Sequence, residues 1–281
     1  MRILGCFKAV PALDLLGEED WVSDERHRIH TEYVKLEWNC FDEGALEMML
    51  RLSELSKDAE ANCELEALTV GKKKTDTFLK TLYALGFAHA VRIEAEEGEY
   101  YPPELTAELI TAYTRRSEGK QYDAVVTGTQ SADGSYMKTP YLLAEMLGWP
   151  CISQVTGFEP AGRKMLRITS QVSGGTKVQV VKLPCVLAVG NSSCAYLRIP
   201  TLKDKMRLGK RPIEYLLPGD LSESMQLRED AIEDGSYTGE VLRALLPVDR
   251  SRHTVLIEGG SPQEKARIYY EQYLKGRLKR L

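Results

Sequence analysis

The sequence predicts an α/β protein: a parallel sheet with helices on both faces, then a β-hairpin segment, then a C-terminal extended arm. Strand and helix patterns alternate through the first 150 residues. Strands separated by helices of this length require βαβ crossovers, and therefore a parallel sheet. After residue 150 the pattern changes to short strands joined by tight turns. Beyond this core lie isolated strand and helix patterns, as expected of an arm that is buried against a second chain.

The first half of the chain supplies the predicted parallel sheet. Short apolar runs that end at turn residues predict strands, at 2–7, 65–70, 88–93 and 124–127. Apolar side chains at three- and four-residue spacing predict helices, at 42–55, 74–85, 103–116 and 138–147. Gly86 is expected to end the second helix, because glycine accepts the left-handed conformation found there. Pro103 occupies the first turn of the third helix, where its missing N–H costs no hydrogen bond.

The second half of the chain is predicted to be richer in β-structure. Strands are expected at 152–158, 165–172, 177–181 and 187–189. The pair Gly174–Gly175 predicts a hairpin turn. The residues beyond 200 give weaker patterns: a loop or linker from 218, a short strand at 253–257, and a helix from Ser261 to Leu274. Ser261 and Glu264 form a capping-box sequence. We therefore divide the chain into an α/β domain at 1–200 and an arm at 201–281.

Composition argues against several classes of protein. The formal net charge is −4 and charged residues make up 28% of the chain, so no general attraction to nucleic acid or to anionic membranes is expected. No apolar run has the length of a membrane span. The six cysteines form no Cys-x-x-Cys pair and several lie in apolar runs, which is typical of reduced, buried thiols. Together with the lack of a signal peptide, this predicts a cytoplasmic location.

The sequence contains no recognisable catalytic constellation. Neither a Gly-x-Ser-x-Gly motif nor a Walker A motif occurs. The four histidines, His27, His30, His89 and His253, have no cysteine or histidine cluster that would complete a metal site. An enzyme with its own nucleophile or metal is therefore the weaker hypothesis.

The most informative segment follows the strand 124–127. Gly128 ends that strand, and a polar loop leads to a helix that begins near Lys138. Ligands of open α/β sheets bind beyond the carboxyl ends of the strands, and a helix N-terminus attracts phosphate. Gly134 would allow close approach of the backbone to a phosphate, and Ser135, Lys138 and Thr139 add donors. Two interpretations remain open: a nucleotide site, or an ordinary loop whose serine and threonine cap the next helix.

Two other loops are expected to share the same crevice. They follow the first and second predicted strands, at 8–11 and 71–74. The second contains three consecutive lysines, which either attract an anionic ligand or form a solvated helix start.

Several short stretches, in order along the chain, match the sequence pattern of one family. They are 39–43 (NCFDE), 70–71 with 79–91, 128–134 (GTQSADG), 174–176 with 181–184 (VKLP), 198–202 (RIPTL), 212–214 (PIE) and 255–265. Each match is weak alone, but their order and their number are specific. The chain resembles the β subunits of electron-transfer flavoproteins.

This resemblance implies a Rossmann-like domain that binds a nucleotide, and a C-terminal arm, 201–281, that docks on an α subunit. The heterodimer would be an electron carrier rather than an independent catalyst, and it would exchange electrons with a dehydrogenase. The main FAD would lie mostly on the α subunit. AMP would occupy the β-subunit crevice, or a second FAD in electron-bifurcating members. By position, the crevice residues are Cys6, Asn39, Cys40, Phe41, Asp42, Val70, Gly128, Thr129, Gln130, Ser131, Ala132, Asp133, Gly134, Ser135, Tyr136, Met137, Lys138 and Thr139.

The chain departs from the family pattern in two loops. Lys138 stands where the family has glutamine, and the bifurcating continuation after Gly134 is missing, which favours AMP narrowly over a second FAD. The loop 190–198, which resembles the partner-docking loop, has one extra residue, and its apolar anchor is expected at Tyr196 or Leu197. A stand-alone nucleotide-binding regulatory protein of the same fold remains the alternative from another class.

Overall fold

The computed structural model describes residues 1–23, 29–58, 62–94, 101–116, 121–224, 256–258 and 260–278. The chain divides into two compact units, Met1–Glu229 and Asp230–Leu281. The strands of the first unit are β1 Arg2–Cys6, β2 Ala9–Pro11, β3 Leu36–Trp38, β4 Glu64–Gly71, β5 His89–Glu94, β6 Ala124–Gly128, β7 Cys151–Gly162, β8 Met165–Val172, β9 Gly175–Lys182, β10 Cys185–Val189 and β11 Glu214–Leu216. Its helices are α1 Cys40–Asp58, α2 Asp76–Leu85, α3 Pro103–Arg116, α4 Thr139–Leu147 and α5 Leu202–Leu208.

Nine of these strands form one mixed, mostly parallel sheet. Their order is β11-β5-β4-β1-β6-β10-β7-β8-β9, while β2 and β3 pair separately. All neighbours from β11 to β7 are parallel, and β8 and β9 extend the sheet as antiparallel strands. The predicted α/β class is confirmed. The hairpin segment continues the same sheet, because β7 pairs with β10 on one side and with β8 on the other.

Helices cover both faces of the sheet, as predicted. Consecutive side chains of a strand point to opposite faces, so Ile3 and Leu4 of β1 belong to two separate cores. Ile3 packs in the core that contains the apolar sides of α1 and α2, and Leu4 packs in the core under α3 and α4. Both side chains are fully buried.

Most predicted elements occur where the pattern indicated. Helix α3 has the predicted bounds, and Gly86 ends α2 with φ 105° while its N–H donates to the last carbonyls of the helix. Residues 202–216, which lie beyond the predicted domain boundary, add α5 and the edge strand β11 to the first unit. Both are short, and α5 exposes Leu202 and Met206, so their periodicity is weak. Most of the strand predicted at 253–257 falls outside the described residues.

The second unit contains the predicted C-terminal helix in three segments. They are α6 Pro262–Tyr269, a π-helical turn Tyr270–Leu274, and α7 Lys275–Leu278. Ser261 caps α6, since its hydroxyl accepts a hydrogen bond of 3.2 Å from the N–H of Glu264. Tyr269, Tyr270 and Tyr273 are exposed on this helix. None of the helices in the described part of the chain combines the length and apolar character that a membrane span requires.

Candidate functional site

A cavity of about 470 Å³ opens at the carboxyl ends of β1, β4 and β6. Strand order reverses at β1, because β4 lies on one side of it and β6 on the other. Ligands of open α/β sheets bind at this kind of switch point. The loops that follow all three strands line the cavity, so the structure brings together the three loops that the sequence placed in one crevice.

The structure places most of the predicted site residues on the cavity wall. Those that line it are Cys6, Asn39, Asp42, Val70, Gly128, Thr129, Gln130, Ser131, Asp133, Gly134, Tyr136, Met137, Lys138 and Thr139. The other four, Cys40, Phe41, Ala132 and Ser135, are not among the lining residues. Phe41 stands behind Gly128, where a Cβ atom would lie 2.8 Å from the Cβ of Phe41. The N–H of Ala132 donates to Oδ1 of Asn39 at 3.2 Å, and the N–H of Ser135 donates to the carbonyl of Ser131 at 2.9 Å.

Some residues of the cavity wall were not predicted from the sequence. Tyr101, just before α3, and the residues Pro103, Thr106 and Ile110 of its first half line the cavity. The rule that located the other loops applies here too, because α3 follows β5, which is parallel to β4. Thr31, which precedes β3, and Leu36, the first residue of β3, also line the cavity, and no sequence pattern predicts either.

The buried carboxylate of Asp42 organises the floor of the site. Its Oδ1 accepts the N–H of Gly128 at 2.6 Å. Its Oδ2 accepts the N–H of Lys8 at 2.9 Å and the side-chain amide of Asn39 at 3.0 Å. One side chain thereby ties the ends of β1 and β6 to the start of α1. A Cβ atom at position 128 would lie 2.6 Å from Asp42 Oδ1, so this close approach requires glycine.

Asn39 extends the same network into the loop after β6. Its amide nitrogen also donates to the carbonyl of Gln130 at 2.7 Å, and its Oδ1 accepts the N–H of Ala132 at 3.2 Å. Asn39 is almost fully buried. Every hydrogen-bonding atom of this amide therefore serves to hold the loop, as buried polar groups require.

Burial raises the pKa of Asp42 to about 6, although the hydrogen bonds from Lys8, Asn39 and Gly128 lower it. Since the folded pKa lies above the unfolded one, the native state holds this proton more tightly. The contribution of Asp42 to stability is then largest below about pH 4 and is lost as pH rises through about 6.

We therefore expect the free energy of unfolding of the wild type, relative to Asp42→Asn, to fall by about 1–3 kcal/mol between pH 4 and pH 7. Urea unfolding of both proteins across this range measures the difference. A difference that stays flat or rises with pH would contradict the assignment.

The loop between β6 and α4 has an unusual backbone. Ser135 and Met137 adopt φ of 53° and 56°, a region that non-glycine residues occupy at a cost and often at functional sites. Among the described residues, no side chain caps the start of α4, where Lys138 is the N-cap. This argues against the interpretation in which serine and threonine of the loop cap the helix. Pro140 has no N–H, and the N–H groups of Tyr141 and Leu142 donate to the carbonyl of Lys138 at 3.1 Å. The N–H groups of Lys138 and Thr139 are therefore the ones that an acceptor in the cavity would use.

Lysines dominate the charge of the wall. The described lining residues include Lys8, Lys72, Lys74 and Lys138, against Asp42 and Asp133. Lys8 pairs with Asp133 at 2.7 Å, and Lys138 lies 3.6 Å from Glu104. Within the described part of the chain, Lys72 and Lys74 form no ion pair with a carboxylate, and Lys74 reaches the carbonyl of Glu32 at 3.5 Å. The cavity therefore favours an anionic ligand.

The cavity wall includes the buried thiol of Cys6. Burial raises the pKa of the Cys6 thiol far above its ordinary range, so this cysteine stays protonated and is a poor nucleophile. Among the described residues, no group of histidine, cysteine and acidic side chains is placed to hold a metal ion.

Fold and site together define an α/β protein with an anion-attracting ligand cavity at the switch point of its sheet. The family model described as "Electron transfer flavoprotein domain" matches residues 29–218. This is more than half of the chain, and the chain therefore belongs to the electron transfer flavoprotein family, as a β-like member.

Relatives from distant organisms match most of the chain. The putative electron transfer flavoprotein subunit YgcR of Escherichia coli is 28% identical over 278 residues, which covers 99% of each chain. The electron transfer flavoprotein subunit beta of Bacillus subtilis is 27% identical and covers 91% of this chain and 94% of its own. The human subunit beta is 27% identical and covers 71% and 76%. The resemblance found in the sequence is confirmed, and the family implies an electron-transfer flavoprotein role.

Proposed function

We propose that this chain is the β-type subunit of a heterodimeric electron-transfer flavoprotein and binds a nucleotide in the cavity at the ends of β1, β4 and β6. The observation that carries the proposal is the uncapped start of α4, flanked by Lys138 and opposite the lysines of the loop 71–74. Unpaired N–H groups, the positive end of a helix dipole and nearby ammonium groups are the features that bind phosphate.

The donor set fits a phosphate group of either proposed nucleotide. A phosphate would sit at the N–H groups of Lys138 and Thr139, and Lys72 and Lys74 would neutralise it from the opposite wall. Asp42 and Asn39 would act indirectly, since their polar atoms already hold the loops. The departures after Gly134 favour AMP narrowly over a second FAD, and the bifurcating variant is the alternative.

The flavin supplies the redox chemistry when it is bound. This chain's contribution is to hold one wall of the flavin site against the α-type subunit, to exclude water and to present a docking surface to the dehydrogenase. We assign the docking surface to the loop 190–198.

Of the two anchors predicted in the loop 190–198, Tyr196 is exposed and Leu197 is buried. Leu197 is 8% exposed and packs in the core beside α1, together with Cys194, so the expectation of an anchor at Leu197 is wrong. Tyr196 is 79% exposed and Ile199 is 86% exposed. A leucine in an irregular loop faces whichever side the backbone turns it to, and the sequence does not specify that side. We assign partner contact to Tyr196 and Ile199.

The arm is the second proposed contact. We propose that the segment from residue 201 onward docks on the α-type subunit, chiefly through its C-terminal helix. Tyr269, Tyr270 and Tyr273 are exposed there, and aromatic side chains are enriched at protein interfaces.

Co-purification with an α-type subunit tests the function. Both chains are co-expressed with a tag on this chain alone. The purified sample should contain both subunits, show a flavin spectrum, and release one FAD and one AMP per heterodimer on acid extraction.

Deletion of the residues from Val255 onward should abolish pairing with the α-type subunit. Circular dichroism should show that the α/β unit of the truncated chain is still folded. Two FAD per heterodimer would support the bifurcating variant. A colourless single chain that binds AMP would support a stand-alone regulatory protein instead and contradict the proposal.

A further inference from the structure

Strand β7 contains an irregularity at Gln154. The partners of Ile152 and Val155 on β10 are Leu187 and Val189, so β7 has one residue more than β10 over this stretch. Gln154 adopts φ 50°. A long side chain in the left-handed region costs about 1–2 kcal/mol, and such strain persists only where surrounding contacts fix it. Bulges that re-aim a side chain are frequent beside functional sites.

The irregularity directs the side chain of Gln154 to the cavity wall. Its Nε2 donates to Oγ1 of Thr129 at 3.4 Å. Thr129 follows β6 directly, lines the cavity, and is 2% exposed. Its own N–H donates to the carbonyl of Val189 at 2.8 Å. Gln154 therefore supports the first residue of the loop that leads to α4.

The same side chain also contacts the start of another loop. A Cβ atom at Gly190 would lie 2.4 Å from Oε1 of Gln154 and 3.2 Å from its Cα. The N–H of Gly190 donates to the carbonyl of Val155 at 3.0 Å. The amide of Gln154 thus fills space that only a glycine at position 190 leaves open.

The geometry points to Gln154 as a positioning residue that couples the cavity wall at Thr129 to the loop 190–198. Its amide lies against both loops, so neither can shift without displacing it. A ligand that orders Thr129 would then order the start of the loop 190–198, and contacts made by that loop would strengthen ligand binding by the same factor. The expected effect of a ligand rests on the proposed nucleotide site. The coupling between Thr129 and the loop 190–198 does not depend on that proposal.

Hydrogen exchange of the full-length chain, with and without AMP, tests the coupling. Gln154→Gly keeps the backbone conformation but removes the amide. We expect exchange to accelerate about fivefold at amides 129–132 and at 191–194 together, as for the loss of one hydrogen bond of about 1 kcal/mol. The isosteric Gln154→Glu retains contact with the Thr129 hydroxyl and should stay within about twofold of the wild type.

Two further variants exclude a general structural effect. Lys164 is another non-glycine residue in the left-handed region, with φ 58°, and lies in the β7–β8 turn. Lys164→Gly should leave both loops unchanged. Gly190→Ala displaces the amide from the other side and should loosen amides 129–132 as Gln154→Gly does. This variant keeps the test decisive if Gln154→Gly folds poorly.

AMP should protect amides 191–194 in the wild type and in Gln154→Glu, but not in Gln154→Gly. Acceleration at only one of the two loops, in either Gln154→Gly or Gly190→Ala, overturns the inference. If the wild type binds no AMP, the proposed nucleotide fails, and exchange in the ligand-free variants still decides the coupling.

Discussion

Replacement of Asp42 by alanine is expected to lower the free energy of unfolding by about 3–5 kcal/mol at pH 5. The substitution leaves the N–H groups of Gly128 and Lys8 and the amide of Asn39 without their buried acceptor, and each unsatisfied buried donor costs about 1–3 kcal/mol. Urea unfolding at pH 5 measures the loss. The loss of unfolding free energy should be smaller at pH 7. At that pH Asp42 is ionised, and burial of its charge already destabilises the wild type.

A nearby carboxylate serves as the control for Asp42. Asp133 pairs with Lys8 in a partly exposed site, so Asp133→Ala should cost less than about 1 kcal/mol. Asp42→Ala should also abolish the AMP binding that we propose, since the ends of β1 and β6 lose their common acceptor. Equal stability of the two variants would show that Asp42 does not organise the cavity floor.

Replacement of Arg198 by alanine is expected to cost about 2–4 kcal/mol, because it leaves a buried carboxylate without its main partner. Glu47 of α1 has a side chain 5% exposed, and Arg198 Nη2 lies 2.7 Å from its Oε1. The backbone N–H of Arg198 donates to the same carboxylate at 3.2 Å, and its guanidinium also binds Glu54. The expected cost lies below that of a fully buried pair, because Arg198 itself is 38% exposed.

The pH dependence of this ion pair has the opposite sign to that of Asp42. Burial would raise the pKa of Glu47, but hydrogen bonds from Arg198 and Arg51 lower it below the ordinary value of 4.5. The stabilisation is therefore present above about pH 4.5 and is lost as pH falls through the folded pKa. Urea unfolding should show a wild-type advantage over Arg198→Ala that shrinks below pH 4.

The exposed pair Arg167–Glu159 provides the matched control for Arg198. Both side chains are about half exposed, so Arg167→Ala should change stability by less than about 1 kcal/mol. Only Arg198→Ala should release the loop 190–198, and, if this loop is the docking surface that we propose, only this variant should slow electron transfer to the proposed dehydrogenase. An Arg198→Ala protein as stable as Arg167→Ala would contradict the role of this ion pair.

The sequence was sufficient where local patterns govern structure. Helix α3 occupies the predicted residues, and Gly86 ends α2 as predicted, because apolar periodicity and the left-handed preference of glycine are properties of neighbouring residues. It also located the crevice, since the carboxyl ends of parallel strands meet at one edge of a sheet. The edge strand β11 was not predicted, because a strand of three residues is too short to show a periodic pattern.

By itself, the sequence determined the α/β class, the family and the three loops that meet at the cavity. Only the tertiary structure decided which side chains hold these three loops in place. Asp42 became the acceptor for two strand ends because α1 begins between them, and Gln154 reached Thr129 because β7 has one residue more than its neighbour. Leu197 turned inward while Tyr196 turned outward. These outcomes depend on contacts between residues far apart in the chain, and local periodicity contains no information about such contacts.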